Sequence, residues 1–155
     1  MASEKQYLFF KSLYDEEVQR TQQLRDHAKN YLPLATFYSA FVAFVVQQIK
    51  PSTPLPIAIF LASVICMLLA FLLALWASGI ASFEVANNPE EIVDEFGDKP
   101  MSDEAFFDNR IADFVVASEG NCEVNDKKAL QLVIAGYVLL GGIVLHACFI
   151  ILSIA

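Results

Sequence analysis

His146 is the only side chain that can take on a charge near neutral pH within Ala129–Ala155, a run of 27 residues that otherwise carries no charge. An ionisable group at that depth in an apolar segment is costly to hold in lipid. It marks a proton relay or a water-lined path. The bland alternative is a neutral imidazole hydrogen-bonded to a neighbouring helix. Ala135, Gly142, His146 and Ser153 follow one another at steps of seven, four and seven, so they share a helix face. This is the most polar face in the apolar part of the chain. Gln47 and Gln48 stand near the end of a second uncharged run, Tyr31–Ile49, where they could border an opening. His146, Gly142, Ser153 and Gln47 are therefore the candidates for residues that face a pore.

Other chemistry is poorly supported. The acidic residues Asp94, Glu95, Asp98, Asp103, Glu104 and Asp108 lack the alternating ligands and fixed glycine of a calcium loop. They read as a solvated acidic face and no metal site is expected. Cys66, Cys122 and Cys148 have no CxxC partner, which excludes a zinc site or a disulfide framework. His27 stands alone on a polar stretch and reads as exposed. No nucleophile motif, phosphate loop or HExxH occurs. No catalytic residue, no cofactor and no enzymatic activity are expected.

Three apolar runs must position these groups. The central one is Ile57–Ala81, 25 residues without a charge. As a helix it spans roughly 37 Å, enough to cross a ~30 Å hydrocarbon core with some tilt. Tyr31–Ile49 and Ala129–Ala155 flank it. Three such runs in 155 residues leave too little amphipathic chain to cover them in a soluble core. The composition, 56% hydrophobic, agrees with a chain mostly in lipid. The sequence predicts an all-α membrane protein with three transmembrane helices.

The segments around the spans have their own patterns. Residues 1–30 read as a cytoplasmic amphipathic helix. Ser3 with Gln6 resembles a capping box. Tyr7, Phe10, Tyr14, Val18, Leu24, Ala28 and Tyr31 recur at near-helical spacing, with a gap around Thr21. Lys11, Glu16, Gln19, Gln22, Gln23 and Asp26 form the other face, and packing against protein is favoured over lying on lipid. Pro33 should kink the helix at the entry to the first span, or break it. Pro51, Pro54 and Pro56 predict a stiff extended turn that closes residues 31–81 into an antiparallel hairpin.

In the second span Ser63, Cys66, Ala70, Ala74, Ala77 and Ala81 recur every three or four residues. Such a stripe lets helix backbones approach closely in lipid. Ala70, Ala74, Ala77 and Ala81 are the candidate packing residues, and Trp76 reads as an interfacial anchor. Residues 82–128 form an acidic cytoplasmic insert with two short helices. One starts at Asn88-Pro89 and stops at Gly97. The other starts at Ser102 and stops at Gly120. Asn125 should then cap the third span, 129–155, with Lys127 and Lys128 reaching lipid phosphates.

Charge sets orientation and excludes partners. Residues 1–30 hold five basic and five acidic groups; residues 83–128 hold four basic and thirteen acidic. Broad nucleic-acid binding is excluded, because it needs clustered Lys and Arg to replace phosphate counterions. The Lys/Arg groups concentrate in the arm and the insert, which places both in the cytoplasm. The link between the first two spans and the C-terminal end then face outward.

The stretch Leu13–Phe44, LYDEEVQRTQQLRDHAKNYLPLATFYSAFVAF, resembles the small membrane effectors of prokaryotic conflict systems known as the SLATT family. The likeness covers roughly the first 82 residues. It is one of pattern, a charged helix leading into a transmembrane hairpin, and it assigns no residue a role. The chain departs from the pattern in its third apolar run, where those proteins usually continue in a cytoplasmic helix. The resemblance implies a homo-oligomer in the inner membrane that opens a pore or ion channel in antiviral defence, on a nucleotide or nucleic-acid signal. The competing expectation is a non-conducting anchor that docks a soluble cytoplasmic protein through its acidic insert.

Overall fold

The computed structural model describes residues 3–48, 53–79 and 102–154, and every regular element among them is α-helical. The helices are α1 (Glu4–Gln48), α2 (Pro54–Ser78) and α3 (Asp103–Ile154). The start of α1 is fixed by a capping box. The Ser3 backbone N–H donates to Gln6 Oε1 at 2.9 Å, and the Gln6 N–H points back to Ser3 Oγ at 3.4 Å. Ser102 Oγ accepts from the Ala105 N–H at 3.3 Å and caps α3.

Several local expectations are corrected. Of the two alternatives at Pro33, the break is not found: α1 runs through it as one helix. Pro54 and Pro56 do not form an extended turn. They lie in the first turn of α2, where a missing N–H costs no hydrogen bond. Gly120 does not end a helix, and Asn125 does not cap one. α3 passes through both as a single element of 52 residues. No glycine among the described residues adopts a positive φ, so Gly120 supplies no left-handed stop. The short helix expected from Asn88 to Gly97, and Ala81, lie outside the described residues.

The chain divides into two compact units. The first contains residues 4–23 of α1 and 103–127 of α3. Tyr7 packs on Phe107 with ring centroids 5.4 Å apart, and Tyr14 packs on Phe114 at 5.5 Å. Farther along, Arg20 meets Asp126 at 2.6 Å. Residue numbers rise together on both sides, so the two segments are parallel. The gap in the apolar face at Thr21 is filled by chemistry. Asn125 is fully buried, and its amide N–H groups donate to the Glu17 carbonyl at 3.1 Å and to Glu17 Oε2 at 2.8 Å. The Thr21 hydroxyl lies 2.9 Å from Asn125 Oδ1 and 3.0 Å from the Glu17 carbonyl, sharing one proton between them. A buried amide in an apolar seam is tolerated when its partners are in place, and it fixes the register of the two helices.

The second unit contains residues 24–48 of α1, all of α2, and 128–154 of α3. Here too α1 and α3 are parallel: the Tyr31 hydroxyl donates to the Leu132 carbonyl, and Tyr38 meets His146. α2 runs the other way, with Ala77 packed among Ala28 and Leu132, and Phe60 against Phe149. Its buried positions include Pro56, Ser63, Ala70 and Ala77, spaced by seven. Ala135, Gly142 and Phe149 of α3 repeat at the same interval and are buried as well. This is the seam of helices that supercoil left-handedly.

α2 and α3 are long and apolar enough to cross a membrane, and only 17% of the most apolar window of each is buried. Leu61, Ile65, Leu68, Leu72 and Trp76 on α2 are exposed, as are Val133, Tyr137, Leu140 and Val144 on α3. A core helix of a soluble protein would cover most of that surface.

Candidate functional site

The polar groups singled out in the sequence are brought to different places within the second unit. His146 is 2% exposed. Its ring is surrounded by Tyr38 and Phe41 from α1, Phe60 from α2 and Phe149 one turn along α3, at centroid distances of 5.5 to 6.2 Å. Within a single chain His146 is thus covered by side chains of that same chain. The cause is the seven-residue seam, which places His146 one turn beyond Gly142 and one short of Phe149. Both imidazole nitrogens are buried without a hydrogen-bond partner, and so is the Tyr38 hydroxyl. The neighbouring helix thus supplies aromatic surface where the bland reading of His146 expected a hydrogen bond.

Gly142 lies at a close approach of α2 and α3. A Cβ placed there would be 3.0 Å from Met67 Sδ, 3.2 Å from Cys66 Cβ and 3.3 Å from the Ser63 carbonyl oxygen. Ser153 is half-buried, and its hydroxyl donates to the Phe149 carbonyl at 2.7 Å, inside its own helix. Gln47 is exposed. Ala70, Ala74 and Ala77 are each 1% exposed. The small-residue stripe and Gly142 accordingly meet in the interior, where the absence of side-chain bulk lets backbones come close.

A groove of about 640 Å³ lies between α1 and α2, with Leu139 of α3 also lining it. Its walls include the aromatic rings of Tyr38, Phe60 and Phe71 and the polar side chains of Thr36, Ser39 and Gln47. Among the described residues no charged side chain lines it. Thr36, Ala43 and Gln47 follow one another at steps of seven and four, on one face of α1. The groove itself was not foreseen, because it depends on how far α2 stands from that face.

Outside the apolar segments, charges are handled locally. Asp126, hydrogen-bonded to the guanidinium, raises the Arg20 pKa. Lys127 pairs with Glu123 at 2.6 Å and holds that exposed carboxyl below its ordinary range. Lys128 does not extend toward a lipid surface: it is 7% exposed. Burial, then the nearby charge of Arg25, pull its pKa down. Among the described residues no group of three His, Cys, Asp or Glu could hold a metal ion. No family pattern, no curated protein and no solved structure matches the chain.

Proposed function

We propose that the chain is a three-span protein of the inner membrane that self-assembles and forms a regulated pore, as the SLATT resemblance implies, in antiviral defence. The observation that carries this reading is the uncovered apolar surface of α2 and α3. Lipid or further copies must cover it, because the chain itself does not. The first span is the part of α1 that follows Tyr31. Its direction, parallel to α3 and opposite to α2, agrees with three crossings and with a cytoplasmic arm and insert.

A single copy is filled in its centre by Ala70, Ala74, Gly142 and His146. Conduction therefore runs between copies, and Gln47 is the pore-facing candidate that stays exposed. The inward position of His146 favours the second reading, a non-conducting anchor whose acidic insert docks a soluble partner. Ion flux through liposomes carrying the purified protein separates the two. The pore reading expects flux above that of empty liposomes once oligomers form. Oligomers without flux leave the anchor. Orientation is fixed beforehand with an impermeant thiol label in a cysteine-free background, which should modify Ser52→Cys from outside intact cells and spare Asp98→Cys.

A further inference from the structure

We infer that Arg25 and Lys128 form a binding site for a terminal phosphate group, at the end of the second unit where α1 and α3 enter their apolar segments. The observation behind it is two cations held together without an anion. Lys11, Arg20, Lys29, Arg110 and Lys127 each meet a carboxylate, at 2.6 to 3.8 Å. Among the described residues Arg25 and Lys128 meet none, and neither donates a hydrogen bond. Yet Lys128 is 7% exposed, and the Arg25 Nε is buried without a partner. Lysine at that depth is almost always paired, because a desolvated ammonium with no partner is costly.

Packing brings the two together. Ala28, Ala77 and Leu132 form one buried cluster. Arg25 lies one turn before Ala28 on α1, and Lys128 one turn before Leu132 on α3. The helices are parallel here, so both cations fall in the layer next to that cluster. The Arg25 charge acts on the Lys128 ammonium there. α2 ends at Ser78, directly after Ala77. Its last carbonyls offer about half an elementary charge against two, so most of the positive charge stays unanswered. The site is also reachable. Arg25 is half-buried, and the Lys128 Nζ, unlike the Arg25 Nε, is not sealed from solvent.

A terminal phosphate matches this pair. It carries a charge of about −1.5 to −2 and three oxygens. The Arg25 guanidinium can fork two of them, and the Lys128 ammonium can donate to the third. A carboxylate brings one charge and two oxygens and leaves part of the pair unmet. Lys128 directly precedes the uncharged run Ala129–Ala155, so the pair stands at the edge of the apolar segments. A phosphate reaches that level either on a lipid head group or free from water, and both offer the same chemistry.

The test is the thermal midpoint of the full chain in detergent, near neutral pH and at constant ionic strength. One arm adds inorganic phosphate, with acetate as its control. The other adds phosphatidic acid, with phosphatidylcholine as its control. A saturable rise is expected with inorganic phosphate, with phosphatidic acid, or with both, and the responding arm names the source. Neither control should give it. Phosphate also stabilises proteins generally by exclusion from their surface, so the readout is the saturable difference between wild type and Lys128→Met. Lys128→Met removes the cost of burying the cation and should fold without the anion. Its apparent affinity for the responding probe should fall at least about tenfold, the loss of one charge-assisted hydrogen bond. Arg25→Gln should weaken binding likewise. Absence of a saturable rise in both arms overturns the assignment, as does an equal rise with acetate or phosphatidylcholine. Wild-type affinity in Lys128→Met overturns it too. No ion flux is measured, so the outcome is separate from that of the pore reading.

Discussion

Gly141 and Gly142 are neighbours in α3, yet the same substitution should act on them in opposite directions. Both sit in a helix interior, where alanine is favoured over glycine by about 1 kcal/mol through reduced backbone freedom and better propensity. At Gly141 an added Cβ meets nothing within 4 Å. Gly141→Ala should therefore keep most of that gain. At Gly142 the Cβ would sit 3.0 Å from Met67 Sδ, 3.2 Å from Cys66 Cβ and 3.3 Å from the Ser63 carbonyl oxygen. The methionine can swing aside. The Cys66 Cβ and the Ser63 carbonyl belong to the frame of α2, so that helix must retreat. Overpacking of this kind costs about 1–3 kcal/mol, and close helix approach through small residues is the main source of association in lipid. The two variants should thus differ by about 1–3 kcal/mol, Gly141→Ala above wild type and Gly142→Ala at or below it. Unfolding of each purified variant in mixed micelles, by titration with a denaturing detergent and circular dichroism, reads the difference. If Gly142→Ala is stabilised as much as Gly141→Ala, then α2 and α3 are not in contact there and the seam is wrong.

Asn125→Ala should lower stability by about 1–3 kcal/mol, since it strips the Glu17 carbonyl and carboxylate of buried donors; denaturant titration checks this, and a neutral result would mean the amide faces solvent. Lys128 gives a pH dependence of definite sign. Its folded pKa is depressed by burial and by Arg25, whereas the unfolded side chain titrates near about 10.4. Well below the folded value both states hold the proton, and the cost of burying the cation is fully present. As pH rises through the folded value toward about 10.4, the folded state sheds its proton first, so stability should increase. Lys128→Met should be more stable near neutrality and lose that rise; midpoints measured between pH 7 and 10.5 would show it. Ala74→Leu should loosen the packing of the second unit and lower its thermal midpoint, because that site is 1% exposed and three more carbons there overpack the helix contact.

The sequence by itself determined the helical class, the apolar segments and the stripe of small residues. Those are properties of composition and spacing: Ile57–Ala81 has no charge to hide, and Ser63, Ala70, Ala74 and Ala77 repeat on one face whatever packs there. The capping box at Ser3 was legible for the same reason, since its partners lie three residues apart. Tertiary structure decided everything that depended on a distant partner. Gly120 and Asn125 carry the local signature of a helix end and a cap. α3 continues through them because Glu17 and Thr21 of α1 satisfy the Asn125 amide better than its own backbone would. Thr21 read as a flaw in an apolar face until that partner was in place. Likewise the spacing made His146 a pore-facing candidate without saying what packs on it within the chain, because periodicity names a face but not what the face meets. Only the packing of Tyr38, Phe41 and Phe60 against it turns that face inward. A strip of polarity in one helix is a one-dimensional fact; which neighbour covers it depends on the crossing of three helices.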